Sequence, residues 1–378
     1  MDRRKFLHLA AGATGLGLAA CTGDAVKGSG GDGESAAGAQ DLGDLPEIEW
    51  KMPTSWPANL ETIQGGAIVF AEEVGKLTGG RFKITVHESG KLIPGLEVLQ
   101  NVESGAYNIG HSAGYHYTGK AELAAFGAGM PFGLNTRQQN AWLYEGGGLE
   151  MLQGFYVDRF GVINFPAGNT GGQMGGWFNK ELRSAQDLKG LKMRMPGLGG
   201  RVMTRLGVAV QQIPGGEIYQ ALQTGAIDAT EWVGPHDDLT LGFPEVAKFY
   251  YYPGWHETGT TLEVQVNKAA YDKLPEIYRE AIQAAAFKAD AITLARYDKL
   301  NPEALTKIEA SGKVKLLPYP DDILNSAHDA AFSLYGELAA ADPDFKTLFD
   351  SWSAFRSASA KWFNLAEAAM IKFNGSRV

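Results

Sequence analysis

Two successive blocks of strand and helix patterns, followed by a helical final third, constrain the fold of this chain most strongly. In the first block, residues 48–52 and 82–86 alternate apolar and polar side chains, as strands do, and residues 60–77 place apolar side chains at helical spacing. A second helical pattern covers residues 95–105, and residues 109–114 are typical of a buried strand end. The order β-α-β-α-β predicts a parallel sheet with helices on its faces.

A second, smaller block repeats this order. Strand patterns at residues 191–195 and 227–232 enclose two helical patterns, which cover residues 199–206 and 217–224. From residue 275 onward the sequence is almost wholly helical, and its long amphipathic patterns cover residues 275–310, 321–341 and 343–373. The predicted fold class is therefore α/β, with two domains and long C-terminal helices.

The composition excludes several classes of protein. The chain has 378 residues, of which 44% are hydrophobic and 20% charged, and this balance is typical of a globular protein. Its formal net charge is -9 and its Lys and Arg residues form no cluster, so we expect no nucleic-acid partner. One cysteine excludes a disulfide framework and a Cys-rich metal site. No apolar run approaches the ~20 residues that cross a bilayer.

Residues 1–21 have the organisation of an export signal, with a charged start, a weakly apolar middle and a small-residue end. The pair Arg3-Arg4 resembles the twin-arginine export motif. The Leu-Ala-Ala-Cys sequence that ends at Cys21 resembles the lipobox of bacterial lipoproteins, which predicts lipidation of Cys21; a buried free thiol is the alternative. Residues 22–44 are rich in Gly, Ser, Ala and Asp and are predicted to be a flexible tether. We therefore expect a periplasmic or extracytoplasmic protein that contacts the membrane only through its lipid.

Arg194 is the first candidate for binding an anion. It lies near the end of the predicted strand 191–195, beside the glycine-rich turn 197–200, where open α/β sheets bind their ligands. A guanidinium there offers a planar pair of donors to a carboxylate. A surface arginine held in an ion pair is the alternative interpretation, and both stay open at this point.

Two oxygen-bearing side chains are candidates for a cation site. Glu231 ends the last strand of the second block, beside Trp232, and Gln173 lies in a glycine-rich run that permits close backbone approach. Their oxygens are of the type that suits Na⁺ or Ca²⁺ rather than zinc. Solvated polar residues are the alternative interpretation.

Other polar clusters are weaker candidates for chemistry. The runs His236-Asp237-Asp238 and His256-Glu257 lack the spacing of a transition-metal site, so we expect structural polar contacts from them. The sequence has no catalytic or nucleotide-binding motif, such as Gly-x-Ser-x-Gly or the Walker sequence, in the structural context that such a motif needs. The chain is accordingly not expected to be an enzyme.

Several segments resemble a known family. Residues 193–197 (Met-Arg-Met-Pro-Gly), 214–235 (beginning Pro-Gly-Gly-Glu-Ile-Tyr) and 250–257 (Tyr-Tyr-Tyr-Pro-Gly-Trp-His-Glu) resemble the DctP-type solute-binding proteins of tripartite ATP-independent periplasmic (TRAP) transporters. They are most similar to the subgroup that binds 2-oxo and 2-hydroxy monocarboxylates with a metal cation. The resemblance includes Thr-Ser-Trp-Pro at 54–57 and covers roughly residues 46–370.

The resemblance implies roles for individual residues. Arg194 matches the arginine that binds the ligand carboxylate. Gln173, Glu231 and the backbone carbonyl of Trp232 match the positions that coordinate Na⁺ or Ca²⁺, with Gln173 and Trp232 also beside the ligand. Three further residues are matched to ligand contact or to a place just behind the cation: Glu257, Asn179 and Tyr115.

The resemblance also implies a periplasmic-binding-protein-like fold, in which two domains close over a hinge cleft. Domain I is expected at residues 45–165 plus about 265–342, and domain II at 166–264. Residues 343–378 are predicted to form a C-terminal helix and a candidate dimer element. The implied partners are a small organic carboxylate, the subunits of a TRAP membrane permease and a second copy of the chain.

The implied function is capture of a pyruvate-like or lactate-like acid and its delivery to the permease. A binding protein of an ATP-driven importer is one alternative, because it would have the same cleft. A secreted metal-dependent enzyme acting on 2-oxo acids is the other, and turnover of such acids would distinguish it from both binding proteins.

Overall fold

The strands of the described residues, 42–377 of a computed structural model, assemble into two separate sheets. In chain order they are β1 (Ile48–Pro53), β2 (Phe82–His87), β3 (Ile109–Ser112), β4 (Val162–Asn169), β5 (Gly176–Phe178), β6 (Lys192–Arg194), β7 (Ala209–Gln211), β8 (Ala229–Thr230), β9 (Phe249–Tyr252), β10 (Thr261–Asn267) and β11 (Lys315–Pro318). In what we call the first sheet, β1 pairs with β2, and a bridge between Thr54 and His111 joins this pair to the group β3-β10-β4. The second sheet has the order β11-β9-β5-β8-β6-β7. The predicted export signal, the lipidation site Cys21 and most of the predicted tether lie outside the described residues.

The helices lie between these strands and then continue beyond them. They are α1 (Ile63–Leu77), α2 (Val98–Glu103), α3 (Ala125–Ala128), α4 (Thr136–Tyr144), α5 (Gly148–Phe160), α6 (Gly197–Arg205), α7 (Ile218–Gln223), α8 (Pro235–Thr240), α9 (Lys268–Asp272), α10 (Glu276–Ala310), α11 (Asp321–Ala341), α12 (Pro343–Phe363) and α13 (Ala369–Gly375). A π-helical turn at Asn364–Ala368 joins α12 to α13, where the sequence predicts one helix. Within the described range, no helix combines the length and apolar character that crossing a membrane requires.

Local sequence signals explain where several helices begin. Asn135 and Gln138 form a reciprocal capping box that starts α4, which the sequence patterns did not predict. Asp342 accepts hydrogen bonds from the first backbone N–H groups of α12, and Pro343 occupies the first helical position. The break predicted between the last two long helices is therefore confirmed.

The pairs predicted within the two blocks, β1-β2 and β6-β8, are parallel as expected, but both sheets also contain antiparallel strands. In the first sheet, β10 runs antiparallel to β3 and to β4, and in the second sheet β5 runs antiparallel to β8 and to β9. The remaining pairs, β1-β2, β6-β7, β6-β8 and β9-β11, are parallel. The antiparallel pairs arise because the chain passes from one sheet to the other and returns, which local periodicity does not reveal.

Two short connections carry the chain between the sheets, and we call them the crossing segments. Residues 170–175 lead from β4 to β5, and residues 253–260 lead from β9 back to β10. The two crossing segments are hydrogen-bonded to each other: the Thr170 N–H donates to the Thr260 carbonyl at 3.0 Å, and the Gly254 N–H donates to the Gln173 carbonyl at 2.9 Å. Any ligand bound beside them would lie between the two sheets, as a hinge cleft requires.

A buried apolar cluster also joins the two halves. Trp56, Leu60 and Ile63, which follow β1, pack in one cluster with residues of the second sheet and its helices, including Trp177 and Tyr250. The 35-residue helix α10 packs against α1 and β4 on one side and against α8 on the other. The predicted two-domain α/β architecture with long C-terminal helices is thus present, and the crossing segments connect its two sheets.

The predicted division into residues 45–165 plus about 265–342 and residues 166–264 stays a prediction, and strands β4, β10 and β11 do not follow its limits. Lys315–Pro318 lies inside the span predicted for domain I, yet it pairs in parallel with β9 at the edge of the second sheet. The exact domain limits remain a prediction.

Candidate functional site

Arg194 ends β6, which lies between β8 and the edge strand β7 of the second sheet, and is only 2% exposed. The chain turns immediately after it, because Pro196 cannot continue the ladder and Gly197 adopts a positive φ of 63°. The Arg194 Nε donates to the Ile213 carbonyl at 3.2 Å, and its Nη1 donates to the Glu231 carbonyl at 3.3 Å. Of the two sequence interpretations, the exposed surface arginine is therefore wrong.

Glu231 is the charged partner of Arg194. Its carboxylate, in a residue that is 1% exposed, accepts a hydrogen bond from Arg194 Nη1 and lies 3.3 Å from His256 Nε2. Neither ring nitrogen of His256 makes a directed hydrogen bond within the described residues. Bringing two charges out of water requires this kind of close pairing, since either one alone would be costly to bury.

The crossing segments supply the second part of the site. The Gln173 Nε2 donates to Glu257 Oε2 at 3.0 Å, to Thr260 Oγ1 at 2.9 Å and to Thr170 Oγ1 at 3.1 Å. The pKa of the Glu257 carboxyl is raised to about 7, chiefly because the group is buried. His256, the Thr260 hydroxyl and Arg194 lower this pKa, whereas the nearby Glu231 carboxylate raises it. Glu257 is therefore hydrogen-bonded to Gln173, and its place behind a cation stays a prediction.

Trp232 and Tyr115 close the site from the remaining sides. The Trp232 ring centre lies 5.2 Å from the Arg194 guanidinium carbon, a cation–π contact. Tyr115 lies on the other side of the cleft and packs closely against the turn at Gly197. A Cβ added to Gly197 would lie only 2.9 Å from the Tyr115 Cβ. Burial, with Glu257 next in size, raises the pKa of Tyr115 well above its usual value, whereas Arg194 lowers it.

The cavity enclosed by these residues is very small, about 10 Å³, which is about the space for one water molecule. Its lining residues are Tyr115, Arg194, Pro196, Glu231, Trp232, Val233 and Glu257. An organic acid could enter only if the walls separate. Because Tyr115 precedes β4 in the chain and Arg194 follows β5, bending of the crossing segments is the motion that would separate them.

Asn179 is the one predicted site residue that the structure places elsewhere. It follows the far end of β5 and is exposed, and its N–H donates to the Asp228 carbonyl at 3.1 Å. β5 enters the site at Gly176, and Asn179, three positions further along the extended chain, lies away from it. Asn179 is not among the residues that line the cavity.

His256 was underestimated from sequence. The sequence favours a structural polar contact, whereas the His256 ring lies beside the Glu231 carboxylate of the site. The His256 Cβ also lies so close to Gly199 that a Cβ added there would be 2.9 Å from it. The signal that could have found it is its place next to Glu257 in an aromatic segment that turns out to cross between the sheets. The run His236-Asp237-Asp238 lies in α8, where Asp237 and Asp238 are buried, His236 is partly exposed, and the two carboxylates accept structural hydrogen bonds.

The donor set fits a hard cation better than a transition metal. The Oε1 atom of Gln173 is buried and has no hydrogen-bond partner within the described residues. Amide and carboxylate oxygens, here from Gln173 and Glu231, suit Na⁺ or Ca²⁺. In residues 42–377 no group of three or more His, Cys, Asp or Glu side chains is arranged to hold a metal ion.

Comparison with known families decides the class of the protein. Residues 54–342 match the DctP model, which describes bacterial extracellular solute-binding proteins of family 7. The chain belongs to this family. A family 7 protein binds its solute outside the cytoplasm, so the expected extracytoplasmic location and binding role are confirmed at this level.

Relatives narrow the comparison further. The chain is 48% identical over 377 residues to the monocarboxylate 2-oxoacid-binding periplasmic protein of Nostoc sp., and the match covers 100% of both chains. It is similar to a TRAP transporter solute-binding protein of Bordetella bronchiseptica, a mixed-occupancy dimer with copurified calcium and picolinate, at 42% identity and a TM-score of 0.86, covering 88% of this chain and 98% of that one.

A third relative contains a different cation. The TRAP periplasmic solute-binding protein of Pseudoalteromonas atlantica, with bound sodium and pyruvate, is 35% identical to this chain with a TM-score of 0.83, covering 86% of this chain and 99% of that one. The predicted recognition as a DctP-type TRAP solute-binding protein with a two-domain fold is therefore confirmed. The alternative of an ATP-driven importer's binding protein has no support from these relatives.

Proposed function

We propose that this family 7 protein captures a small 2-oxo or 2-hydroxy monocarboxylate, pyruvate-like or lactate-like, together with Na⁺ or Ca²⁺, and delivers it to a TRAP permease. The observation that carries the proposal is the buried ion pair of Arg194 and Glu231, together with the Gln173 oxygen that has no hydrogen-bond partner among residues 42–377. The relatives that bind 2-oxo acids or contain pyruvate with a cation support the choice of ligand.

In this proposal the ligand carboxylate faces the Arg194 guanidinium. Its Nε and Nη1 already donate to Ile213 and Glu231, so the Nη2 hydrogens are the donors that remain for the ligand. The Gln173 Oε1, the Glu231 carboxylate and the Trp232 carbonyl would hold the cation. The bound cation supplies positive charge beside the α-oxygen of the acid and offsets the charge of Glu231. Selectivity follows because an acid without an α-oxygen would leave buried polar groups unsatisfied.

Closure completes the proposed binding cycle. We propose that residues 45–165 plus about 265–342 and residues 166–264, adjusted for β11, move as two bodies about the crossing segments. Closing them removes the acid from water, where its pairing with Arg194 is stronger. Docking on the permease would then reopen the cleft and release the acid.

A thermal-shift panel tests this function. Purified protein is heated with pyruvate, lactate, a longer 2-oxo acid or a C4 dicarboxylate, each with Na⁺, with Ca²⁺ or with chelator. We expect the melting temperature to rise only when a 2-oxo or 2-hydroxy monocarboxylate and a cation are both present. Equal stabilisation with chelator would contradict the cation's role, and turnover of any acid in the same samples would favour the enzyme alternative.

We also propose twin-arginine export and lipid anchoring. The supporting features are Arg3-Arg4, Cys21 after three small or apolar residues, and the tether at residues 22–44. Cys21→Ser should move the protein from the membrane fraction to the soluble extracytoplasmic fraction, and mass spectrometry should lose the acylated Cys21. Export that survives replacement of both arginines by lysine would contradict the twin-arginine route.

A homodimer through the last helices is the final part of the proposal. Residues 343–378 contain a set of large apolar side chains that are 56–70% exposed: Trp362, Leu365, Met370, Ile371 and Phe373. A set of this size is unusual on an isolated surface and favours a protein partner. The dimer of the Bordetella relative suggests that the partner is a second copy of the chain.

A further inference from the structure

Asp237 is a buried carboxylate that the proposed function does not use. It lies in the first turn of α8 and is 0% exposed. No Lys or Arg within the described range forms an ion pair with it. Burying a carboxylate without a counter-charge is costly, so Asp237 depends on the hydrogen bonds that it accepts from its neighbours.

The hydrogen bonds of Asp237 come from three separate elements. Its Oδ1 accepts from the Thr62 hydroxyl at the start of α1, which connects β1 to β2 in the first sheet. Its Oδ2 accepts from the Tyr297 hydroxyl of α10 at 2.7 Å and from the Trp232 Nε1 at 3.3 Å. The Asp237 carboxylate, on α8, is therefore hydrogen-bonded to the start of α1, to the long helix α10 and to the indole in the binding site.

The indole of Trp232 is also constrained from two other directions. One face lies against the Arg194 guanidinium at 5.2 Å. The far edge of the ring fills the space above Gly215, where a Cβ would lie 2.4 Å from the Trp232 Cη2. Between the Arg194 guanidinium and Gly215 the ring could still rotate in its own plane, and the hydrogen bond from its Nε1 to Asp237 restricts that rotation.

We propose that Asp237 is a positioning residue: it holds the Trp232 indole against Arg194, and Thr62 and Tyr297 fix Asp237 in turn. This inference rests on the proposed function, because the consequence of a misplaced indole is weaker binding of the carboxylate at Arg194. It predicts that two residues outside the site, Thr62 and Tyr297, control affinity at the site.

The test compares Tyr297→Phe and Thr62→Val with Tyr156→Phe. Tyr156 makes a matched buried contact, since its hydroxyl donates to Glu263 Oε1 at 2.7 Å, but it lies outside the cavity lining. The first two variants should weaken binding of pyruvate with Ca²⁺ about fivefold to tenfold, which is less than the full contribution of a hydrogen bond to a charged group because the effect reaches the ligand only through the indole. Tyr156→Phe should bind within twofold of the wild type, and Thr62→Ser, which keeps the hydroxyl, should too.

A spectroscopic measurement separates positioning from general destabilisation. In protein labelled with 5-fluorotryptophan, the ¹⁹F resonance missing from Trp232→Phe identifies that side chain. Tyr297→Phe, Thr62→Val and Gly215→Ala should each shift or broaden this resonance, and Tyr156→Phe should leave it in place. An unchanged resonance and unchanged affinity in both Tyr297→Phe and Thr62→Val would overturn the proposal.

The resonance measurement needs no ligand, so it decides the positioning role even if the function is wrong. Failure of the wild type to bind any 2-oxo or 2-hydroxy acid would refute the proposed function alone. If Tyr297→Phe does not fold, Thr62→Val and Gly215→Ala carry the same comparison, because each changes a different contact of the same pair of residues.

Discussion

Arg194 and Glu231 form an ion pair between two side chains that are both almost completely buried, at 2% and 1% exposure. Neither charge is stabilised by bulk water, so each depends on the other, and the Arg194 guanidinium also donates to the Ile213 and Glu231 carbonyls. A pair of this kind is costly to break from one side, because the remaining charge stays buried without a partner.

Arg194→Ala should therefore affect both binding and stability. We expect the acid-induced rise in melting temperature to disappear, and the free energy of unfolding to fall by about 3–5 kcal/mol, the usual result of leaving a buried charge unpaired. Calorimetry with and without pyruvate and Ca²⁺ measures both effects. Arg159→Ala is the control, because its pair with Asp344 is exposed. Normal binding by Arg194→Ala would refute the carboxylate assignment.

Gln173→Leu should remove the dependence of binding on the cation. The change deletes the partner-free Oε1 and the donor to Glu257 while keeping the side chain's approximate size. Gln265→Leu is a matched control, since Gln265 is also buried, has a partner-free Oε1 and donates to Glu263 at 2.7 Å. Titration of pyruvate at several Ca²⁺ concentrations measures the effect. Equal losses of Ca²⁺ dependence in both variants would contradict the cation assignment.

Gly176→Ala should destabilise the protein and weaken the site. Gly176 has a φ of 126°, and an added Cβ would lie 2.7 Å from the Thr230 carbonyl oxygen and 3.5 Å from the Glu231 Cβ. Strain of this kind costs about 1–3 kcal/mol. Gly172→Ala, in the first crossing segment, has open space around its Cβ and should be nearly neutral in thermal denaturation. A Gly176→Ala protein as stable as Gly172→Ala would show that this backbone position is not restrictive.

Asp290 should make stability depend on pH. Its carboxyl is 3% exposed, and burial raises its pKa from 3.8 to about 6, against hydrogen bonds from Asn140 and the Gly168 backbone that lower it. Between pH 4 and 6 the folded state therefore holds a proton that the unfolded state has lost. The stability that this proton contributes is fully present below about pH 4 and is lost as the pH rises through about 6.

Asp290→Asn should remove this component. The shift corresponds to about 3 kcal/mol, so the variant's loss of stability from pH 4 to pH 7 should be smaller than the wild type's by up to that amount. Denaturant unfolding at both pH values measures the difference, and Asp329→Asn, at a highly exposed side chain, is the control. Parallel pH profiles for the wild type and Asp290→Asn would contradict the expected pKa.

Leu365→Glu together with Ile371→Glu should turn a dimer into a monomer. Both side chains are about 70% exposed in the single chain, so the changes should not disturb its fold. Light scattering during size-exclusion chromatography measures the mass in solution. Lys361→Glu, an exposed polar change on the neighbouring helix, should leave the dimer intact. A wild-type protein that is monomeric at all concentrations would refute the dimer.

Local sequence patterns predicted the helices well where the apolar spacing is long and regular. α11 begins and ends at the predicted residues 321 and 341, and α10 begins one residue after its prediction. The sheet pairing was less accessible. β10 lies between β3 and β4 only because residues 253–260 return the chain to the first sheet, and such long-range pairing leaves no local signal.

The site could be predicted only where it depends on the order of neighbouring strands. Arg194 and Glu231 end neighbouring parallel strands, β6 and β8, so strand order alone brings them to one edge. His256 could not be placed, because its position beside Glu231 depends on how the second crossing segment folds. Asn179 was misplaced because the matched segment did not show at which end of the very short strand β5 the cavity lies.

The crossing segments contain Gln173 and Glu257 themselves, not merely the backbone that connects the sheets. Torsional change in these few residues would therefore alter the spacing of the oxygen atoms that face an incoming cation. The reverse also holds: fixing those oxygen atoms would stiffen the very residues about which the molecule bends. In this architecture, recognition of the solute and mechanical flexibility are not separate properties that evolution could adjust one at a time.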